Sequence, residues 1–188
     1  MPGSSRLPRV PFLGIGALFL FVLGGDGIGG GGWRHAALAS AQEPTALRGI
    51  TAAHNAARAE AASEAGKSIP PLAWSPPLAE AAQAWAHQCR FQHSKKGYGE
   101  NLFASSGQAP PEEAVRSWVS EKKFYDEARN RCRGGECRHY TQVMWARTMR
   151  VGCAVARCSG HSPFGRGAWQ FLVCEYDPPG NYIGERPY

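Results

Sequence analysis

Six cysteines, Cys89, Cys132, Cys137, Cys153, Cys158 and Cys174, all lie beyond residue 41 of the chain. They constrain it more than any other feature. An even set of thiols in an exported protein reads as a framework of cross-links, and such a framework forms only outside the reducing cytoplasm. The N-terminus supplies the export signal. Arg6 and Arg9 precede an apolar run from Val10 to Leu23, and Ala39-Ser40-Ala41 follows a Gly-rich spacer. That order of charge, apolar run and small-residue motif predicts a signal peptide over residues 1–41, with Gln42 the first mature residue. The apolar run is too short for a comfortable membrane span. Contact with a membrane is therefore expected only through a ligand or an uncleaved signal.

Losing residues 1–41 removes Arg6, Arg9, Arg34 and Asp26, which lowers the formal charge from +6 to +4. The remaining bases are scattered among acids, with no basic stripe of interleaved aromatics, so nucleic acid is not the expected partner. Residues 42–188 suit one domain with one core, expected to be a secreted, extracellular monomer.

Val151–Cys158 and Ala168–Tyr176 read as two strands joined by a Gly/Ser/Pro loop, a pairing that sets Cys153 opposite Cys174. Cys158 has the opposite parity and points to the other sheet face, toward a distant partner. Cys132 and Cys137 flank the flexible Arg133-Gly134-Gly135-Glu136, which leaves Cys89 for Cys158. The spacings lack paired CxxC knuckles of a structural zinc site. Helices are expected from Thr45 to Glu64, from Ser75 (as cap) through Leu78, Ala81, Ala82, Trp85 and Cys89, and from Pro110 to Glu127 with an inner stripe of Ala114, Trp118, Glu121 and Tyr125. A short strand is expected at Asn101–Ala104. Helices and an antiparallel sheet partly segregated along the chain make the class α+β.

Four residues carry the chemistry. His93 and Glu100 share a loop after Cys89, Glu121 interrupts an apolar helical stripe, and His139 follows Cys137. Two imidazoles and two carboxylates are ligand types for Zn²⁺ or another divalent cation, and equally the parts of a general acid/base site. Spacing alone favours a plainer reading, in which Glu121 pairs with a base such as Lys122 and each histidine is satisfied by backbone. A peptidase needs more than these residues show: there is no HExxH and no Gly-x-Ser-x-Gly, and the cysteines are committed to disulfides. A non-catalytic binding protein is the expectation, with metal-dependent hydrolysis the alternative.

His54-Asn55-Ala56-Ala57-Arg58, Gly99-Glu100-Asn101-Leu102, Trp118-Val119-Ser120-Glu121-Lys122, His139-Tyr140-Thr141-Gln142-Val143-Met144-Trp145 and Cys174-Glu175-Tyr176-Asp177-Pro178-Pro179-Gly180-Asn181-Tyr182 occur in that order. The series resembles the CAP superfamily, most nearly the plant pathogenesis-related proteins of group 1, and the likeness spans residues 45–188. It implies a CAP domain over residues 42–188, a three-layer α-β-α sandwich whose cavity gathers His93, Glu100, Glu121 and His139 around a divalent ion, held chiefly by the two histidines. It agrees with the pairings Cys89–Cys158, Cys132–Cys137 and Cys153–Cys174. It gives His54, Asn55 and Arg58 packing and hydrogen-bonding roles. It further implies sterol or other lipid binding near Gln83–His93, where this chain carries Trp85 and Phe91, and a role in defence or in interaction with a host or competitor. Release of a C-terminal signalling peptide after a Cys-Asn-Tyr-x stretch is a third possibility of the family; here Glu175 replaces the Asn.

Overall fold

A computed structural model describes residues 42–188. The expected signal peptide and its cleavage motif lie outside the described residues. The elements are α1 (Ile50–Ala65), β1 (Ala73–Trp74), α2 (Pro76–Ala86), β2 (Gly99–Ser105), α3 (Pro111–Val119), β3 (Tyr125–Asp126), β4 (Arg131–Cys132), α4 (Arg138–Val143), β5 (Arg150–Cys158) and β6 (Trp169–Asp177). Among the described residues no helix is long and apolar enough to cross a membrane.

The first helix starts later than its apolar spacing suggests. Thr45–Leu47 forms a separate 3-10 turn, and Gly49 breaks the path at φ 93°, a left-handed conformation that glycine adopts at little cost. Glu43 then caps α1 from upstream, accepting from the N–H groups of Gly49 (2.6 Å) and Thr51 (2.8 Å), which have no intrahelical acceptor. The face that α1 buries carries Ile50 and Ala61, but also His54 and Arg58.

In the main sheet the strand order is β1-β5-β6-β2, with β1 parallel to β5 and the other pairs antiparallel. Alternation divides the side chains between two cores. On one face α2 packs over Leu102, Ala154, Trp169, Phe171 and Val173. On the other, α1, α3 and α4 bury Ile50, Trp118, Tyr140, Val143, Leu172 and Cys174. This is an α-β-α sandwich. Ser75 does not cap α2 with its side chain; its N–H donates to Val151 O (2.8 Å) and its carbonyl accepts from Ala79. The crossing is so close that a Cβ at Gly152 would stand 2.2 Å from the Ala79 nitrogen.

Disulfides join Cys89 to Cys158, Cys132 to Cys137 and Cys153 to Cys174. Cys153 lies opposite Cys174 in the β5–β6 ladder and in the α1 core, while Cys158 lies in the α2 core.

The third helix stops short of its expected end. After Val119 the chain tightens into a 3-10 turn, Ser120–Phe124, and Tyr125 enters the β3–β4 hairpin. Asp126 holds that hairpin's turn by accepting from the Arg129 N–H (3.1 Å). Beyond β6 the C-terminal residues form a strap. Gly180 N–H donates to Gln142 Oε1 (2.9 Å), Ala146 N–H to Pro187 O (2.7 Å), and the hydroxyls of Tyr140 and Tyr188 meet at 2.9 Å.

Candidate functional site: two histidine–glutamate pairs at the edge of β2

β2 is an edge strand, and the four singled-out residues gather around it as two pairs. Glu100 lies on the α2 side of the strand, opposite Glu175 in the register. Its Oε1 is 2.6 Å from His93 Nδ1, and both carboxylate oxygens accept from Ser94 N–H (3.0 and 3.1 Å). Cys89–Cys158 ties the loop carrying His93 to the end of β5. Burial alone would raise the Glu100 carboxyl, but the bonds from His93 and Ser94 outweigh it and hold the group below its usual value. The same His93–Glu100 bond raises the imidazole.

The second pair belongs to the other face. Glu121 Oε1 stands 2.6 Å from His139 Nδ1, and its Oε2 accepts from the N–H groups of His139 (3.1 Å) and Tyr140 (3.3 Å). Glu121 therefore caps the first turn of α4 and orients the ring that α4 carries. Its expected partner, Lys122, instead pairs with Glu64. Trp118 stacks on His139 at an interplanar angle of 21°. Asn101 joins the two sides: its side-chain amide donates to His139 O (3.1 Å) from the residue next to Glu100. His93 also senses the charges of Arg138 and Glu136 beside His139.

Each histidine thus gives Nδ1 to a carboxylate and keeps Nε2 for something else. An ionised carboxylate only accepts, so Nδ1 is the donor in each pair, and in the neutral ring Nε2 would then present a lone pair. This is the supporting arrangement that orients metal-binding imidazoles. The donor set fits a borderline divalent ion bound through two nitrogens. Among the described residues, no group of three or more His, Cys, Asp or Glu side chains is placed to hold a metal. The glutamates act as partners of the rings.

Phe91, Phe103, Trp118, Glu121, His139 and Phe164 help line a cavity of about 260 Å³. Phe91 and Phe164 are half exposed there. Trp85 acts elsewhere, with its indole N–H donating to Gln92 O (2.8 Å) and its ring packed on the α2 core. Ser94 Oγ is directed at Glu175 Oε1 (3.5 Å), not at His93.

Two residues not singled out as site residues shape the ground around the pairs. Glu175 is fully buried, Oε2 has no hydrogen-bond partner among the described residues, and burial together with the Glu100 charge pushes its carboxyl up to about 8. Its only signal in the sequence is a Glu where the plant stretch has Asn. Arg58, expected to be structural, donates to the carbonyls of Pro70 (2.8 Å), Val143 (2.7 Å), Trp145 (3.0 Å) and Thr148 (3.3 Å). The Val143 carbonyl ends α4, and that of Trp145 follows just beyond it.

Residues 51–176 match the model of CAP, the cysteine-rich secretory protein family. The chain belongs to this family. The CAP domain is 44% identical over 139 residues to the basic form of pathogenesis-related protein 1 of Nicotiana tabacum, covering 72% of this chain and 71% of the relative. It is 47% identical over 130 residues to pathogenesis-related protein PR-1 of Medicago truncatula, covering 66% and 72%. Among solved structures it resembles NaASP2, crystallised with Zn²⁺, at TM-score 0.61 and 27% identity, covering 79% of this chain and 87% of that one. The venom allergen-like protein 4 of Schistosoma mansoni is similar at TM-score 0.61 and 26% identity, covering 78% and 95%.

Proposed function

We propose that this CAP domain is a secreted protein that binds a divalent metal ion, Zn²⁺ foremost, through Nε2 of His93 and His139, and that it serves in defence outside the cell. The observation that carries the metal reading is the pair of 2.6 Å contacts between Nδ1 and a glutamate, which orient both rings and leave Nε2 as the position for a metal. The structure of NaASP2 with Zn²⁺ supports it from a relative of the same fold. The family's secretory character and the three disulfides support export. The names of the plant relatives support the defence role.

We read the site as one for binding, because none of the described cysteines is free and Ser94 Oγ faces a carboxyl group without a base. His93, from the loop before β2, and His139, from α4, would hold the ion. Calorimetric titration of the oxidised protein with Zn²⁺ tests this. His93→Ala and His139→Ala are each expected to weaken binding by roughly a hundredfold, and Glu121→Gln by about tenfold through loss of orientation. Wild-type affinity in both histidine variants, with unchanged circular dichroism, would rule the site out.

A further inference from the structure

Bases and acids are interleaved in the sequence of this chain, but the fold does not compensate them evenly. In the β3–β4 hairpin Tyr125 pairs with Cys132 and Asp126 with Arg131, and Arg133 N–H extends the ladder to Phe124 O (2.7 Å). Alternation gives the hairpin two faces. Tyr125 and Cys132 take the inner one, the tyrosine against Tyr140 and the cysteine bonded to buried Cys137. Arg131 and Arg133 fall on the outer one, roughly 6–7 Å apart along the strand. The acids of residues 126–136 and of the C-terminal strap each have another base: Asp126 pairs with Arg129, Glu127 with Lys67, Glu136 with Arg138 and Glu185 with Arg147. Arg186 reaches the hairpin's turn from the strap and donates to the carbonyls of Glu127 and Ala128. Among the described residues Lys123, Arg131, Arg133 and Arg186 make no ion pair, and all four are exposed.

Beside these cations the surface has a recess with a fixed frame. Asn130 accepts from the Tyr125 hydroxyl (2.9 Å) and donates to Glu185 O (2.9 Å), which ties the hairpin to the strap. Asn181 donates to Arg138 O (2.9 Å), which ties the strap to α4. A cavity of about 170 Å³ lies between them, with Asn130, Arg131, Arg138, Asn181 and Tyr182 in its lining. Tyr182 is half exposed, and its ring is held beside Trp145 (6.2 Å between centroids) and Arg147 (5.8 Å). An aromatic ring, side-chain amides and guanidinium groups together suit a small ring that bears hydroxyls and a carboxylate. A frame already tied in place costs little further order on binding.

We propose that the hairpin and the strap together bind an extended acidic polysaccharide built of uronate sugars. One sugar occupies the cavity with a face against Tyr182, and the carboxylates of the units that follow lie over Arg131, Arg133 and Lys123. Three of the four unpaired cations are arginines, whose planar fork matches a carboxylate. A nucleic acid or an anionic membrane answers to the charge alone, whereas the aromatic and amide lining of the recess favours a sugar chain. Binding here uses neither imidazole of the His–Glu pairs and needs no metal.

The test titrates the oxidised protein, in the presence of chelator, with short polygalacturonate chains and reads affinity by calorimetry. Binding is expected at low ionic strength, weakening as salt is added, and none is expected to the methyl-esterified chain, which keeps the sugars and loses the charge. Arg131→Gln/Arg133→Gln is expected to weaken binding by roughly tenfold, the effect of two exposed charge contacts. Tyr182→Ala is expected to weaken it by about fivefold and to leave the salt dependence unchanged. Arg48→Gln/Arg157→Gln makes the same change in net charge elsewhere on the surface and is expected to bind as wild type does. Equal binding of the methyl ester, an equal loss in the Arg48/Arg157 variant, wild-type affinity in the Arg131/Arg133 variant, or tighter binding to phosphatidylserine vesicles or single-stranded DNA would each overturn the proposal.

Discussion

Replacing Arg58 by alanine is expected to lower the unfolding free energy by roughly 4 kcal/mol or more, the largest effect of any single change in the α1 core. The guanidinium is 1% exposed and donates to four carbonyls from three separate segments. Each carbonyl left dry without a donor costs about 1–3 kcal/mol. Burial lowers the Arg58 pKa to about 10, still well above neutral, so the group remains charged. Arg58→Lys is expected to recover less than half of the loss, because an ammonium does not span the positions that the planar fork reaches. Urea unfolding monitored by tryptophan fluorescence checks both variants. A stability within about 1 kcal/mol of wild type for Arg58→Ala would show that the carbonyls find other partners. Since Val143 and Trp145 end the α4 segment, the alanine variant is also expected to loosen His139.

The second large effect is a dependence of stability on pH that one substitution removes. Glu175 has its pKa raised from 4.5 to about 8, by burial first and then by the charge of Glu100. The folded state therefore holds a proton that the unfolded chain releases above pH 4.5. The resulting stabilisation is complete below that value and is lost as pH rises through 8, by on the order of a few kcal/mol. His54 acts in the opposite sense. Burial lowers its pKa from 6.5 to about 4, so its contribution is complete above pH 6.5 and is lost as pH falls through 4. The ring is neutral in the fold, with Nδ1 donating to Ile50 O (2.8 Å) and Nε2 accepting from Tyr176 O–H (2.8 Å). Glu175→Gln keeps the shape and a donor toward Glu100 but cannot ionise. It is expected to flatten the alkaline limb of stability against pH while leaving the acid limb in place. An alkaline limb as steep as that of wild type would assign the effect to another group.

The sheet is the most legible part of this fold. β5 and β6 are long and alternate cleanly, and the parity of Cys153 and Cys158 is enough to send them to opposite faces. Periodicity misplaces the helix boundaries because long-range contacts decide them. Glu43 and the left-handed Gly49 start α1, and the link from Glu121 to the α4 backbone accompanies the tightening after Val119. Two-residue strands such as β1, β3 and β4 carry no periodic signal at all. Nor does α4, a six-residue helix whose stabilising carboxylate comes from another element.

For the site, residue type and family likeness point to His93, Glu100, Glu121 and His139, but not to their division into pairs. That division comes from β2, which places Glu100 on one face and Asn101, bonded to His139, on the other. Glu175 escapes notice because a single acid in a strand has no pattern of its own. Its character arises from the register that sets it against Glu100.

On the proposed reading, both imidazoles offer Nε2 to one metal ion while Nδ1 stays bonded to a glutamate. Long-range ¹H–¹⁵N spectra of the histidine rings, recorded with and without one equivalent of Zn²⁺, test it most directly. Nε2 of both His93 and His139 is expected to shift on metal addition, with both Nδ1 atoms still protonated and His54 unresponsive. A response at only one of the two rings, at Nδ1, or at neither would contradict it.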